Sequence, residues 1–164
     1  MPVDFRPTEA EFVSQAFDEA QSFKANELGT VATFRDVGST DYGSADFKYV
    51  VFDGPETPVA GWACYYKAAG ISTSTVTVDV DDADTIAIGA GILHCVPTDG
   101  QYLWIQITGY AVLAIAIASG AAGKPVTADL HTVDGSLKIS ANVAETRVGT
   151  CADATTGLLC AFPH

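Results

Sequence analysis

A stretch of alternating residues near the middle of the chain predicts its central strand. Leu103, Ile105 and Ile107 alternate with aromatic and polar residues, after a turn at Asp99-Gly100. An alternation with a period of two is typical of a β-strand. We therefore predict a strand at residues 102–107, with Ile105 in the core.

A second apolar stretch follows directly and predicts a strand that returns beside the first. Gly109-Tyr110 suits a type II′ turn, which prefers Gly at its first central position. Leu113, Ile115 and Ile117 then line one face of the returning strand. The other face carries only small apolar side chains, which are Val112, Ala114, Ala116 and Ala118. Because small side chains let another backbone approach closely, we predict that this face packs against a copy of the protein or a partner.

The N-terminal region has a different period and predicts a helix over residues 8–26. Thr8 and Glu11 have the spacing of a capping box, and Gly29 is a plausible stop. We interpret residues 1–28 as an N-terminal arm or helix and residues 29–164 as a β-rich domain. An aromatic stripe on this helix either packs on its own domain or docks on a neighbouring subunit. Its members are candidate interface residues: Phe12, Phe17 and Phe23.

The rest of the chain consists of short β-rich runs separated by turn residues. These runs lie at residues 29–35, 47–52, 59–66, 73–80, 86–96, 126–130, 137–140, 146–152 and 158–162. Gly89 and Gly91 predict a bend or bulge in the run at 86–96. We predict a mainly β fold, a single sandwich- or barrel-like domain of about ten short strands with an N-terminal helix or arm.

Composition narrows the range of partners. The chain has 164 residues, with 8 Lys and Arg against 20 Asp and Glu, and a net charge of −12. Such an acidic chain disfavours nucleic acid as a partner. The longest apolar run, residues 110–118, is about half the length that a membrane-spanning helix needs. The N-terminus also lacks the pattern of a signal peptide. We expect neither nucleic acid nor membrane as a partner.

Candidate chemistry is sparse in this sequence. Four aspartates could in principle ligate Ca²⁺: Asp79, Asp81, Asp82 and Asp84. They lack the Gly and the distal Glu of an EF-hand loop, so a solvated turn is the favoured interpretation. His94 and Cys95 are neighbours in a predicted strand and would point to opposite faces, which excludes them as a catalytic pair. The sequence contains no phosphate-binding or hydrolase motif. We predict that the protein is not an enzyme and has no catalytic residue, cofactor or metal site.

Cysteines and aromatic residues leave two alternatives open. The four cysteines show no Cys-x-x-Cys spacing, which argues against a zinc or thioredoxin-type site. We expect four buried free thiols, at Cys64, Cys95, Cys151 and Cys160, because disulfides are rare in proteins that assemble inside a cell. One disulfide between Cys151 and Cys160 is the alternative. Several aromatic rings could stack on sugars or serve as core anchors: Trp62, Trp104, Tyr65, Tyr66, Tyr102 and Tyr110. A carbohydrate-binding β-sandwich on a virion or cell surface is therefore the alternative function.

The order of several segments resembles the head decoration proteins, or capsid cement proteins, of tailed bacteriophages. The segments are FKYVVFDG, VAGWACYYKAAG, VTVDVDDAD, IAIGAGIL, GQYLWIQITGYAVLAIAIASGAAGKPV and RVGTCADATTGLLCAF. In that group a Gly-x-Tyr-x-Trp-Ile-Gln segment precedes an Ala/Val-rich strand and a final hairpin that contains Gly. The matching residues here are Gly100, Tyr102, Trp104, Ile105, Gln106, Thr108 and Gly109, then Val148, Gly149 and Cys151. The resemblance covers about residues 45–162 and does not include the predicted N-terminal helix.

The resemblance implies a non-enzymatic structural protein of the virion. Proteins of that group bind the outer surface of an icosahedral head where capsomers meet, and they clamp the shell against the pressure of the internal DNA. The implied partners are the major capsid protein and two further copies of the chain in a homotrimer. The implied location is the outer surface of the capsid.

Overall fold

The computed structural model of the chain describes residues 15–35, 43–68, 73–80, 84–129 and 133–163. Within these ranges the chain is mainly β, with its strands in two sheets, which confirms the predicted fold class. The twelve strands are β1 (Ala20–Gln21), β2 (Val31–Phe34), β3 (Ala45–Phe52), β4 (Ala63–Lys67), β5 (Thr75–Thr77), β6 (Thr85–Leu93), β7 (Tyr102–Gln106), β8 (Thr108–Val112), β9 (Pro125–Ala128), β10 (Leu137–Ile139), β11 (Arg147–Cys151) and β12 (Gly157–Ala161).

The first sheet curls back on itself around the predicted central strand. Its order is β1-β7-β6-β4-β5-β3-β2, and β3 pairs with β7 as well. These pairings join β3, β7, β6, β4 and β5 into a closed ring, in which only β3 and β5 are parallel. Ile105 of β7 is fully buried, as predicted. β7 is thus central, because it has neighbours on both edges and buried side chains on both faces.

The second sheet lies against the first and has the order β10-β9-β11-β12-β8. The main core contains side chains from both sheets, such as Ile92 and Leu103 from the first and Val126 and Leu158 from the second. The predicted irregularity of β6 is confirmed, because its register with β4 shifts on both sides of the pair Tyr65 and Gly89. Such a shift bends the strand and helps it to follow the curled sheet.

A smaller second core lies on the outer face of the first sheet. Successive strand residues alternate between faces, so Phe47, Tyr49 and Trp104 face away from the main core and are fully buried there. Residues 15–28, which we call the cover, pack over them together with β2. Phe17 of the cover lies 5.2 Å from Phe47 between ring centroids. The cover therefore completes a core of aromatic side chains.

The predicted N-terminal helix is wrong in the part of the chain that the structure describes. Residues 15–26 form no helix, and Ala20–Gln21 is instead strand β1, paired with β7. The aromatic residues do not share a helical face either, since Phe17 is half-buried whereas Phe23 is 62% exposed. Local helix preference is weak and is overridden here by packing onto the sheet. The other candidate, Phe12, lies outside the described residues.

The predicted hairpin between residues 102 and 118 is also wrong. β7 belongs to the first sheet and β8 to the second, so the chain crosses between sheets at Ile107 instead of turning back. Gly109 does have a positive φ of +83°. A Cβ atom at this position would lie only 2.9 Å from the Cβ of Ala45. The glycine thus permits a close crossing of two chain segments, a role that sequence alone does not distinguish from a turn.

Candidate interaction surface

An exposed row of small apolar side chains follows strand β8. We call residues 112–118 the strap. Leu113 and Ile117 are buried and Ile115 is half-buried, whereas the side chains between them are exposed: Val112, Ala114, Ala116 and Ala118. The alternation predicted from sequence therefore holds, although the regular strand ends at Val112. The strap contains no charged residue, on a chain with a net charge of −12.

Backbone hydrogen bonds fix the strap to both sheets. The amides of Leu113 and Ile117 each donate over 2.9 Å to carbonyl oxygens of the β11–β12 turn, those of Thr156 and Thr155. The amide of Ala114 donates over 3.0 Å to the carbonyl oxygen of Gly61, which precedes β4. At its end, Ala118 forms a parallel bridge with Lys138 of β10. The exposed row is thus presented on a backbone that is held at four points.

Gly61 determines how closely the strap approaches the first sheet. Its φ is +92°, and a Cβ atom there would lie 2.8 Å from the amide nitrogen of Ala114. Only glycine meets both conditions without strain. The two preceding residues, Val59 and Ala60, are exposed. The apolar surface therefore continues from the strap onto this turn.

Asp153 organises the turn that holds the strap. One carboxylate oxygen accepts hydrogen bonds from the amides of Thr155, Thr156 and Gly157, over 2.7, 2.9 and 3.0 Å. The amide of Gly157 and then those of the two threonines hold the pKa of Asp153 below its ordinary value, because hydrogen bonds stabilise the charged form. The carbonyl groups of the same two threonines then point at the strap. A charged side chain thus positions an apolar surface.

Gln106 protects the open edge of β8 next to the strap. Its side-chain amide donates to the carbonyl oxygens of Thr108 and Tyr110, each over 2.9 Å. These carbonyls lie on the free edge of β8, because the odd-numbered residues bond to β12, as at Ile107 and Leu113. Exposed strand edges recruit other strands. Gln106 therefore disfavours strand addition along part of this edge and leaves the side-chain face of the strap available.

The aromatic residues considered for sugar binding are distributed differently. Trp104, Tyr65 and Tyr66 are buried, and Trp62, Tyr102 and Tyr110 are half-buried. Burial also raises the pKa of Tyr66 to about 12. A buried ring cannot stack on a sugar, so these six side chains do not form a common exposed platform.

The histidine and cysteine side chains that were considered as catalytic groups are hydrogen-bonded or buried. His94 accepts or donates a 2.7 Å hydrogen bond with Gln106, not with Cys95. All four cysteines are buried and free, as expected, and Cys151 and Cys160 form no disulfide. Burial raises the pKa of Cys95 to about 12 and raises the pKa of Cys64 and Cys160 as well. Such thiols are poor nucleophiles.

The aspartate run is only partly described. Asp79 and Asp84 lie within the described residues, whereas Asp81 and Asp82 do not. Across the described ranges, no group of three or more His, Cys, Asp and Glu side chains is placed to hold a metal ion. Near Asp79, burial raises the pKa of the Glu56 carboxyl, and the charges of Asp79 and Asp134 raise it further.

Sequence reasoning identified the exposed row but missed the residues that position it. Gly61, Asp153 and Gln106 were not singled out as site residues. The Asp-x-Thr-Thr-Gly order at 153–157 was a usable signal, since Asp often accepts hydrogen bonds from amides two to four residues later. The partners of Gly61 and Gln106 are distant in sequence, and no local pattern predicts them.

Comparisons with protein-family models, curated proteins and solved structures find no match to this chain. A search of the described residues for a helix long and apolar enough to cross a membrane also finds none.

Proposed function

We propose that this protein is a structural virion protein that binds the outer surface of an icosahedral phage head and stabilises the capsid. The segments that resemble head decoration proteins span about residues 45–162, and this resemblance is the reason for proposing that class of protein. The exposed strap is the structural observation that supports the proposed function. An uncharged, exposed apolar row on an otherwise acidic protein is typical of a contact surface.

The way in which the strap is held supports a binding role. Its backbone is bonded to the β11–β12 turn and to Gly61, so few conformations remain to be lost on binding. A preorganised surface binds with a smaller loss of entropy than a flexible one. Ala114, Ala116 and Ala118 also lose little side-chain entropy, because alanine has no rotamers to restrict.

The proposed partners are the major capsid protein and, in a homotrimer, further copies of the chain. Small side chains allow close approach of a neighbouring backbone and suit either contact. The net charge of −12 favours a shell protein with basic groups, because complementary charge accelerates association and orients the partners. Carbohydrate binding, the alternative, draws less support, since its proposed aromatic platform is largely buried.

Sedimentation with purified heads that lack decoration tests the proposal. We expect the full chain to co-sediment with the heads at a saturable, fixed ratio to the major capsid protein. We also expect decorated heads to release DNA at a higher temperature than bare heads. Failure to bind heads, together with specific signals on a glycan array, would instead support the carbohydrate-binding alternative. The mass of the unbound protein by light scattering measures whether a trimer forms before attachment.

We also propose that residues 1–28 contribute to attachment to the head. A test of this role needs a deletion that leaves the second core intact. Removing residues 15–28 would expose Phe47 and Trp104, and any loss of binding would be ambiguous. Deleting residues 1–14 avoids this problem. If the first residues attach the protein to the head, this variant melts at the wild-type temperature and no longer co-sediments. Unchanged co-sedimentation would place attachment on residues 15–164.

A further inference from the structure

His94 lies where the cover, the end of β6 and the β7–β8 crossover meet. Its ring centroid is 5.4 Å from that of Phe17 in the cover and 5.3 Å from that of Phe47 in β3. Its Nε2 atom is 2.7 Å from Oε1 of Gln106. One side chain thus contacts three separate parts of the fold.

The hydrogen bonds around Gln106 determine which ring nitrogen carries the proton. The amide nitrogen of Gln106 donates to two carbonyl oxygens, so its only oxygen must accept a hydrogen bond from His94. Nε2 of His94 therefore carries a proton, and the neutral form of the ring has its unprotonated nitrogen at Nδ1. A second proton would have to enter at Nδ1, and none of the described residues forms a hydrogen bond with that atom.

A protonated His94 is unfavourable in this position. Burial is the largest effect and lowers the pKa of His94 below 6.5, although the bond to Gln106 and the charge of Asp18 partly oppose it. Asp18, in the cover, is exposed, and water screens its charge. Cys95, the next residue in the chain, is a buried thiol with a raised pKa. The carboxylate of Asp46, beside Phe47, accepts hydrogen bonds from Thr33 and Thr108.

The cover itself is held by few regular interactions. β1 has only two residues. Three buried polar atoms beneath or within the cover have no hydrogen-bond partner among the described residues: Gln21 Oε1, Asn26 Nδ2 and Trp104 Nε1. Buried polar groups without partners disfavour the closed arrangement, because water would satisfy them when the cover opens. The main fixed points are the ring of Phe17 and the side chain of Gln15, which bonds to Tyr49 and to the carbonyl oxygen of Tyr102.

We propose that His94 is an acid-sensitive latch, which holds the cover on the first sheet when neutral and releases it when protonated. Release uncovers the aromatic outer face formed by Phe47, Tyr49 and Trp104. The direction follows from linkage. A histidine with a lowered pKa in the closed state stabilises that state fully above the pKa of the open state, and the stabilisation is lost as the pH falls. This inference goes beyond head binding and does not depend on it.

Hydrogen exchange of the full chain at pH 7.5 and pH 5.0, corrected for intrinsic rates, tests the latch. We expect protection of the cover amides to fall by about tenfold, with a limit of about thirtyfold for an open-state pKa of about 6.5. The amide of Ala25, which donates to the hydroxyl of Tyr49, is a suitable reporter. His94→Gln keeps a donor for Gln106 but does not titrate, so its cover should be equally protected at both pH values. Phe23→Ala, an exposed change in the same segment, should retain the wild-type pH dependence.

Titration of the His94 ring by NMR in the wild-type protein keeps the proposal testable if His94→Gln fails to fold. We expect a midpoint below 6.5, with the chemical shifts of the cover amides following the same curve. A midpoint at or above 6.5 would overturn the proposal. The same conclusion follows if cover protection does not depend on pH, or if His94→Gln loses protection in acid as the wild type does.

Discussion

The cover and the strap are both short segments that lie across a sheet, but side chains and backbone bonds contribute to their placement in different proportions. Side chains hold the cover: Phe17 enters the aromatic core, and Gln15 bonds to the sheet beneath it. The strap is held by backbone bonds and by the buried side chains of Leu113 and Ile117, whereas its exposed side chains contribute nothing to its placement. The surface of the strap can therefore vary in sequence without unfolding the protein, whereas a change in the cover affects the core directly.

Removing the aromatic anchor of the cover should give the largest change in stability. We expect Phe17→Ala to lower the free energy of unfolding by about 2–3 kcal/mol, somewhat less than for a fully buried Phe because Phe17 is half-buried. Phe23→Ala, at a side chain that is 62% exposed, should change it by less than about 0.5 kcal/mol. Chemical denaturation measures both. Equal effects would show that the two rings do not differ as the packing implies.

Gly61→Ala tests whether the strap depends on close backbone contact. We expect a loss of about 2 kcal/mol, because a left-handed backbone is strained for alanine and the new Cβ would meet the strap. Gly100→Ala is the matched control. Gly100 also has a positive φ, of +77°, but no atom lies within 4 Å of the added Cβ. Its cost of about 1 kcal/mol should reflect the backbone conformation alone.

The difference between these two variants isolates the contact with Ala114. Hydrogen exchange adds a local measurement, since the amide of Ala114 should lose protection in Gly61→Ala and keep it in Gly100→Ala. If both variants lose the same stability and the amide stays protected in both, the strap does not depend on the close approach at Gly61.

Two carboxyl groups should give pH effects of opposite sign. The pKa of Asp153 is lowered, so its hydrogen bonds stabilise the fold above the ordinary value of 3.8 and are lost as the pH falls through the folded value. The pKa of Glu56 is raised from 4.5, so its ionised form destabilises the fold as the pH rises through the folded value. At pH 7 we expect Asp153→Asn to lower the melting temperature slightly and Glu56→Gln to raise it slightly.

Melting temperatures between pH 2.5 and pH 7 check both signs. Each variant should converge with the wild type at low pH, where the carboxyl group of the wild type is protonated in both states. A Glu56→Gln protein that is less stable than the wild type at neutral pH would contradict the conclusion that the fold disfavours the ionised form of Glu56.

Sequence patterns predicted those parts of the fold in which each face of a segment has one kind of surroundings along its whole length. Period-two alternation located β7 and the exposed and buried faces of the strap, because the two faces of an extended chain meet different surroundings. Helical spacing of aromatic residues gave a helix that is false over residues 15–26, the described part of the predicted 8–26 helix, since such spacing also suits an irregular segment that packs on a sheet. Phe17 and Phe23 differ only in what lies beneath them.

Long-range contacts account for what the sequence did not predict. The switch of sheets at Ile107 depends on the pairing of β8 with β12, about fifty residues later. The edge protection by Gln106 and the support of the strap by Gly61 likewise join distant parts of the chain. A pattern of apolar and polar residues shows that a segment is buried, but it does not identify the neighbour that buries it.

A charged side chain on the strap tests the central claim that this surface attaches the protein to a phage head. Ala116→Arg should leave the melting temperature almost unchanged, because Ala116 is exposed, and should abolish co-sedimentation with undecorated heads. Val143→Arg is the matched control, since Val143 is 92% exposed and lies outside the strap. We expect this control to co-sediment as the wild type does. If a folded Ala116→Arg protein decorates heads at the wild-type ratio, the strap is not the attachment surface.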